Sequence, residues 1–409
     1  MQSVAPPVAH RPLLGHTLGL IAGSVPIFVF FMPKSPTPMM IVFALIGIVG
    51  LRLSHRTLPR VPRMLLAGLA AFCAWALLST LWAVDVENTL FGALKLIGNI
   101  VICICVIRVV LVLEPTEQAF LVRAVIVGTC IVGLLLAVEV TFGNVIYMAI
   151  RGAEYRPHDP GGPYWLNTAT SLVALLALPI AYTFIRTRGW ILGTTLFLAI
   201  WAVTTAIEFR TASIALAIGA VIALAVAAAG RRAVYVLAAL VLILSVILPI
   251  LPSYYGTPAD AASKTQWLPS SAQHRMGIWT FTSEKIVERP LVGWGMNSAR
   301  DLPGGRTMLY RNDGTLMGET LPLHPHNTVL QLWLELGLPG LFAYLLFVGA
   351  LFWLALRSGP AMALICGEII VGLMLANVSF GIWQAWWLAA LGLTAAVTVT
   401  VVRRTKSAS

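Results

Sequence analysis

What most constrains this chain is the recurrence of uncharged apolar runs, such as Val236–Leu248 and Ala389–Val402. Such runs do not alternate polar with apolar positions, so they are not the strands of an outer-membrane barrel. Crossing a bilayer as a helix takes about 20 such residues, because a helix satisfies its own backbone hydrogen bonds in hydrocarbon. The 409 residues are 59% hydrophobic and 11% charged, against about 25% charged in an ordinary soluble domain. A mean hydropathy of +0.88 leaves too little polar surface for a soluble enzyme, a disordered chain or a fibrous protein. The fold class expected is an all-α polytopic membrane protein of about 12 transmembrane helices, with a large outer loop containing amphipathic helices.

The runs between polar breaks predict spans at 13–32, 38–54, 64–84, 90–113, 118–141, 165–185, 189–207, 211–229, 233–252, 338–356, 361–379 and 382–402. Alternate short loops differ sharply in basic residues. One set carries 15, among them Arg52, Arg56, Arg60, Arg63, Arg186, Arg188, Arg231, Arg232, Arg403, Arg404 and Lys406; the other carries 2, Lys34 and Arg210. Basic residues concentrate on the cytoplasmic side, so both termini are expected there, and twelve spans satisfy that parity. The same bias accounts for most of the net charge of +11 without any nucleic-acid partner. Two connections on the outer side are long, about 142–164 and 253–323. The organisation expected is nine spans over 1–252, a large outer loop over 253–337, and three spans with a cytoplasmic tail over 338–409.

The loop 253–323 holds 7 Lys/Arg and 6 Asp/Glu. Its middle, 271–288, sets Met276, Trp279, Phe281 and Ile286 against Arg275, Glu284, Lys285 and Glu288 with a helical period. That pattern predicts an amphipathic helix lying on the outer membrane face. The five cysteines all fall inside apolar runs and read as small hydrophobes. The first apolar run leads straight into further spans with no small-residue cleavage site, so no removable signal peptide is expected.

The segment from His324 to Gly340 is the most informative. Pro325 suits a first helical position, which would place His326 in the first turn and Gly337 at the helix end. The partial positive charge of a helix N-terminus would keep His326 neutral, the form a proton acceptor needs, and would offer N–H groups to an anion. Glu335 lies nine positions on, about 180° around such a helix, so it is expected to pair with an arginine or to cap a neighbouring loop. An interfacial histidine with a satisfied hydrogen bond is the plain alternative for His326. A zinc site built on His324 and His326 lacks a third ligand, and no metal or cofactor is expected.

Other residues stand out by position. Arg210 opens an outer-edge span and is followed by small residues that permit close helix packing; it either snorkels or turns inward. Arg275 sits on the amphipathic segment, and Gly293-Trp294-Gly295 reads as a turn needing special backbone angles. Arginine suits bidentate phosphate recognition. Arg156, His158 and Asp159 occupy the first long loop, with Asn167 close by. Asp85 and Glu87 form an acidic pair, and Lys95, Glu139 and Glu368 lie within spans, where buried pairing is expected.

In order along the chain come Arg210-Thr211-Ala212-Ser213; then Arg275, Trp279, Pro290, Leu291, Gly293 and Gly295; then His326, Asn327, Leu330, Glu335, Gly337 and Gly340. With Leu81-Trp82-Ala83-Val84-Asp85 and Asn167, this pattern resembles the O-antigen ligase and O-antigen polymerase superfamily of bacterial inner-membrane glycosyltransferases. The resemblance implies a periplasmic-facing site in a multi-pass inner-membrane protein, and metal-independent, inverting transfer of a glycan from an undecaprenyl diphosphate-linked donor. It implies catalytic roles for His326, Arg210 and Arg275, with the two arginines on the donor diphosphate. Asn327, Trp279, Asn167 and Arg156 are the further substrate contacts it implies, and Glu335, Gly293, Gly295 and Gly337 are its structural positions. Within the superfamily a ligase, delivering O-antigen polysaccharide to lipid A–core in lipopolysaccharide biosynthesis, suits a chain of this length with one main outer loop. A polymerase or a protein O-oligosaccharyltransferase remains open, and so does a transporter of lipid-linked glycan.

Overall fold

A computed structural model describes residues 13–151, 164–207 and 209–407. Its helices are α1 (Leu13–Phe31), α2 (Pro36–Leu53), α3 (Arg63–Leu78), α4 (Val86–Val110), α5 (Pro115–Phe142) and α6 (Val145–Arg151). There follow α7 (Tyr164–Arg188), α8 (Trp190–Ala206), α9 (Arg210–Ala229) and α10 (Arg231–Ile247). The long connection after α10 folds into α11 (Pro258–Lys264), α12 (Ser270–Glu288) and a hairpin of β1 (Met308–Tyr310) and β2 (Leu316–Glu319). The chain closes with α13 (Thr328–Leu356), α14 (Met362–Val378) and α15 (Ala385–Ser407).

This is an all-α, multi-pass membrane fold. Ten helices among the described residues are at least 18 residues long and apolar enough to cross a bilayer. Each of the twelve apolar runs coincides with a helix, but α8 and α10, at 17 residues each, fall just below that length. Leu134, Trp190, Leu224 and Val236 are exposed on these helices, as lipid-facing side chains are.

The chain divides into two compact units. The first comprises Met1–Pro59, Ile102–Ala169 and Gly392–Ser409. Here α1 lies against α5 with almost no side chain between them: a Cβ on Gly23 would sit 2.5 Å from the Ala124 carbonyl oxygen. Close backbone approach through small residues is how helices associate in a membrane. Pro115 opens α5, Glu114 and Glu117 form a capping box, and Arg56 bonds both carboxylates at 2.6 Å. Glu139, buried near the end of α5, accepts from the Ile146 and Tyr147 amides and so starts α6. Lys95 of α4, which belongs to the second unit, is exposed, against the expected buried pairing.

The second unit comprises Arg60–Val101 and Thr170–Leu391. Its main core joins Val329, Leu336, Tyr344 and Phe352 of α13 to Cys366 and Ile370 of α14, Leu96 of α4 and Val226 of α9. A smaller core gathers Ile278, Phe281 and Ile286 of α12 with Trp294, Ala299, Leu302, Leu321, Leu330 and Leu334. This corrects the picture of α12 as an interfacial helix. Ile278, Phe281 and Ile286 are buried in protein, together with Thr280 and Ser283, whose hydroxyls donate to the carbonyls of Pro252 and Pro249, while Met276 and Trp279 are half-buried and Val287 is exposed.

Candidate active site

The site is organised by a break in α13. At Gly337 the backbone turns left-handed, with φ 66°, and Pro339 has no N–H to offer. The carbonyls of Leu334, Glu335 and Leu336 therefore lose their usual helical donors. The Gly293-Trp294-Gly295 loop supplies replacements. The Trp294 amide donates to Leu334 and the Gly295 amide to Glu335, both at 2.9 Å, while the Trp75 indole donates to Leu336 at 2.9 Å. The Leu338 amide donates in return to Pro290 at 3.1 Å. The fit admits only hydrogen at two positions: a Cβ on Gly293 would lie 2.5 Å from the Glu335 carbonyl carbon, and one on Gly337 would lie 2.3 Å from the Leu291 oxygen.

Glu335 is fully buried. Of the two partners expected for it, it takes the loop and no arginine. Its carboxylate accepts from the Asn297 amide at 2.5 Å, from the Ala299 amide at 3.4 Å, from Gln331 Nε2 at 3.1 Å and from the Trp383 indole. It thus holds the turn 297–301 against α13.

The start of α13 differs from expectation. Pro325 is not the first helical residue. Asn327 is the N-cap, its side-chain oxygen accepting from the Leu330 amide at 3.0 Å. His326 precedes the helix and sits in the left-handed region at φ 54°, a conformation uncommon for a residue with a side chain. Neighbours hold it there. The Trp279 indole of α12 donates to the Pro325 carbonyl at 2.8 Å. Thr328 donates to Ala376 at 2.9 Å, closing an open carbonyl at the end of α14.

His326 Nδ1 faces the Ser379 carbonyl at 2.8 Å. A carbonyl only accepts, so Nδ1 carries the proton and Nε2 presents a lone pair. Nε2 has no hydrogen-bond partner among the described residues. The ring of His324 lies 4.3 Å away, its Nδ1 accepting from the His326 amide at 3.2 Å. Both rings are neutral, though not because of the helix terminus. Burial is the first cause, pushing His326 down to about 4 and His324 down to about 3. For His326 the Ser379 bond opposes this, and the charges of Arg275 and the nearby His274 add to it. For His324 the added causes are His326, Arg300 and Arg275.

Arg275 is half-buried and makes no hydrogen bond or ion pair among the described residues; burial lowers its pKa as well. Its neighbour His274 faces the Glu319 carbonyl at 2.7 Å, which ties the β1–β2 hairpin to α12. The structure therefore brings together His326, His324, Arg275, Trp279 and Asn327, with Glu335, Gly293, Gly295 and Gly337 as their support. Arg210 is the exposed first residue of α9. The adjoining Phe209 ring lies 6.2 Å from Phe380, next to Ser379. Asn167 lies in α7, in the first unit. Arg156, His158 and Asp159 lie outside the described residues. Asp85 caps α4 through the Asn88 amide at 2.9 Å. Unforeseen from sequence are Ser379, Gln384 and Arg300. Gln384 Nε2 stands 3.3 Å from His324 Nε2.

The fold and this cluster define a multi-pass membrane protein with a neutral-histidine and arginine site on a broken helix. Residues 195–345 match a family model described as O-antigen ligase. A Rickettsia conorii protein is 34% identical over 137 residues, covering 32% of each chain. Relatives from Rickettsia prowazekii and Rickettsia felis are 31% and 32% identical over 150 and 133 residues. All three carry the name "putative polysaccharide ligase". The chain spans about a third of the length of these relatives, and α9, α12, the Gly-x-Gly loop and the start of α13 all fall within the family match.

Proposed function

We propose that this protein is a glycosyltransferase of the O-antigen ligase type. It moves O-antigen polysaccharide from undecaprenyl diphosphate to lipid A–core on the periplasmic face of a bacterial inner membrane, with both termini cytoplasmic. One observation carries the reading: a neutral histidine with its Nε2 lone pair free stands beside an arginine that has no partner among the described residues. The match over residues 195–345 supports a ligase-type reaction, and the basic bias of alternate loops supports the orientation.

The chemistry is one metal-independent displacement. An acceptor hydroxyl attacks the anomeric carbon while His326 Nε2 takes its proton. The bond from that carbon to the diphosphate oxygen breaks, and its electron pair leaves on the diphosphate. Arg275 and Arg210 stabilise the growing negative charge. Attack opposite the leaving group inverts the anomeric centre. Burial holds the pKa of His326 down to about 4. Arg275 helps to depress it, so an anion bound to Arg275 offsets that charge and makes His326 a stronger base once the donor is in place. Asn327 and Trp279 already hold the backbone around His326 through one polar atom each, and contribute to binding with their remaining faces.

The test is purified protein with lipid-linked donor and lipid A–core. Glycan-bearing lipid A–core is expected, with at least a hundredfold loss in His326→Ala. Full activity in that variant refutes the assignment of the base. Elongated donor or glycosylated protein in place of that product identifies the polymerase or the protein-directed reaction. Glycan movement without any new bond identifies a transporter.

A further inference from the structure

Arg300 is carried on a turn that a buried carboxylate shapes. Glu335 fixes the amides of Asn297 and Ala299, and Asn297 is left-handed at φ 60°. The Asp301 amide closes the turn on the Ser298 carbonyl at 2.9 Å. On either side of Arg300, Ala299 and Leu302 are buried in the core that contains Ile278 of α12 and Leu330 of α13. Ile278 is three residues from Arg275, and Leu330 is four from His326. The turn therefore sets Arg300 between the elements that carry the arginine and the histidine of the site.

Its guanidinium is uncommitted. Arg300 Nε is buried with no hydrogen-bond partner, and the residue forms no ion pair among the described residues. The adjoining carboxylate, Asp301, is engaged by Arg306 and Asn88, each at 3.2 Å. A buried donor is ordinarily paired, so an unpaired one beside a site is a place for a ligand atom. The charge of Arg300 also reaches His324, whose ring lies 4.3 Å from that of His326.

We propose that Arg300 is a further anion-binding residue of this site, closing with Arg275 on a phosphate-type anion held beside His324 and His326. Glu335 then acts as a positioning residue, through the turn it fixes. The inference rests on the glycosyltransferase reading for the source of the anion, which is either the donor diphosphate or a phosphate on the acceptor. Arginine on two separate elements suits either, because each guanidinium can offer two parallel N–H groups to phosphate oxygens.

The test uses the full chain in detergent micelles, with inorganic pyrophosphate as the probe and tryptophan fluorescence as the readout. Arg300→Ala is expected to weaken pyrophosphate binding by roughly tenfold or more, with partial recovery in Arg300→Lys. An unchanged thermal transition in either variant keeps the comparison to folded protein. In transfer assays, a raised KM for the donor assigns the anion to the diphosphate, and a raised KM for the acceptor assigns it to an acceptor phosphate. The proposal is overturned if wild-type protein binds no pyrophosphate, or if both variants bind it as wild type does. Arg300-dependent pyrophosphate binding without any glycan transfer upholds the anion site while removing the functional reading.

Discussion

Replacing Gly337 with alanine tests whether the break in α13 is held by the interlock with the Gly-x-Gly loop. The residue adopts φ 66° and ψ −159°, a region essentially confined to glycine, where a side chain costs about 1 kcal/mol or more. The new Cβ would lie 2.3 Å from the Leu291 oxygen and 2.6 Å from the Val292 nitrogen. Ordinary contact begins near 3.4 Å, so the loop must retreat by about 1 Å. That strains the Trp294–Leu334, Gly295–Glu335 and Leu338–Pro290 hydrogen bonds, each contributing about 1 kcal/mol net. The total is about 4 kcal/mol. An unfolding entropy of about 2.1 cal/mol/K per residue over 409 residues converts this into a fall in Tm of about 4–5 °C. Differential scanning fluorimetry in detergent measures it. Gly349→Ala, on the same helix with open space around the position, is the control and is expected to stay within about 1 °C of wild type. Equal Tm values for Gly337→Ala and wild type, or an equal fall in both variants, would refute the interlock.

Three further outcomes are expected. At limiting donor, kcat/KM should show no acid limb near pH 6.5, because His326 of the free protein stays neutral down to about 4; a kcat/KM that halves at pH 6.5 would contradict the burial of this ring. Stability should fall as pH drops from 6.5 towards 4, because the unfolded chain takes up protons on His324 and His326 that the folded chain refuses, and thermal melts across that range read it. Glu335→Gln leaves one oxygen to serve four donors. It is expected to destabilise by roughly 2–4 kcal/mol and to slow transfer through the displaced 297–301 turn, as melts and rates on the same sample would show.

Much of this molecule is legible from sequence because hydrocarbon imposes a simple rule. Uncharged runs become helices, and each of the twelve runs did. The edges of the site are harder to read. Pro325 looks like a helix opener, yet Trp279 holds its carbonyl and Ser379 holds His326, and both contacts come from elements remote in sequence. The turn at His326 is therefore tertiary, and the helix waits for Asn327. In α12 the apolar stripe suggests a membrane surface. The pattern conceals that Thr280 and Ser283 face free proline carbonyls, which lets that side be buried in protein. Arg300 stands in an ordinary Ser-Ala-Arg-Asp stretch, and nothing local marks it. Only the carboxylate of Glu335, across the fold, gives its position meaning.

The segment from Thr328 to Leu336, between the cap at Asn327 and the break at Gly337, behaves as a spacer of fixed length. Nine helical residues span about 13 Å at 1.5 Å each. One end carries His326, and the other is locked to the Gly-x-Gly loop. Inserting a single residue would advance one end by about 1.5 Å and rotate it by about 100°, swinging the histidine away from Arg275 while leaving every apolar run intact. Length between these two marks is therefore under tighter geometric control than the identity of most residues within it, whereas the exposed tip of the hairpin at 312–314 can lengthen without moving any group of the site.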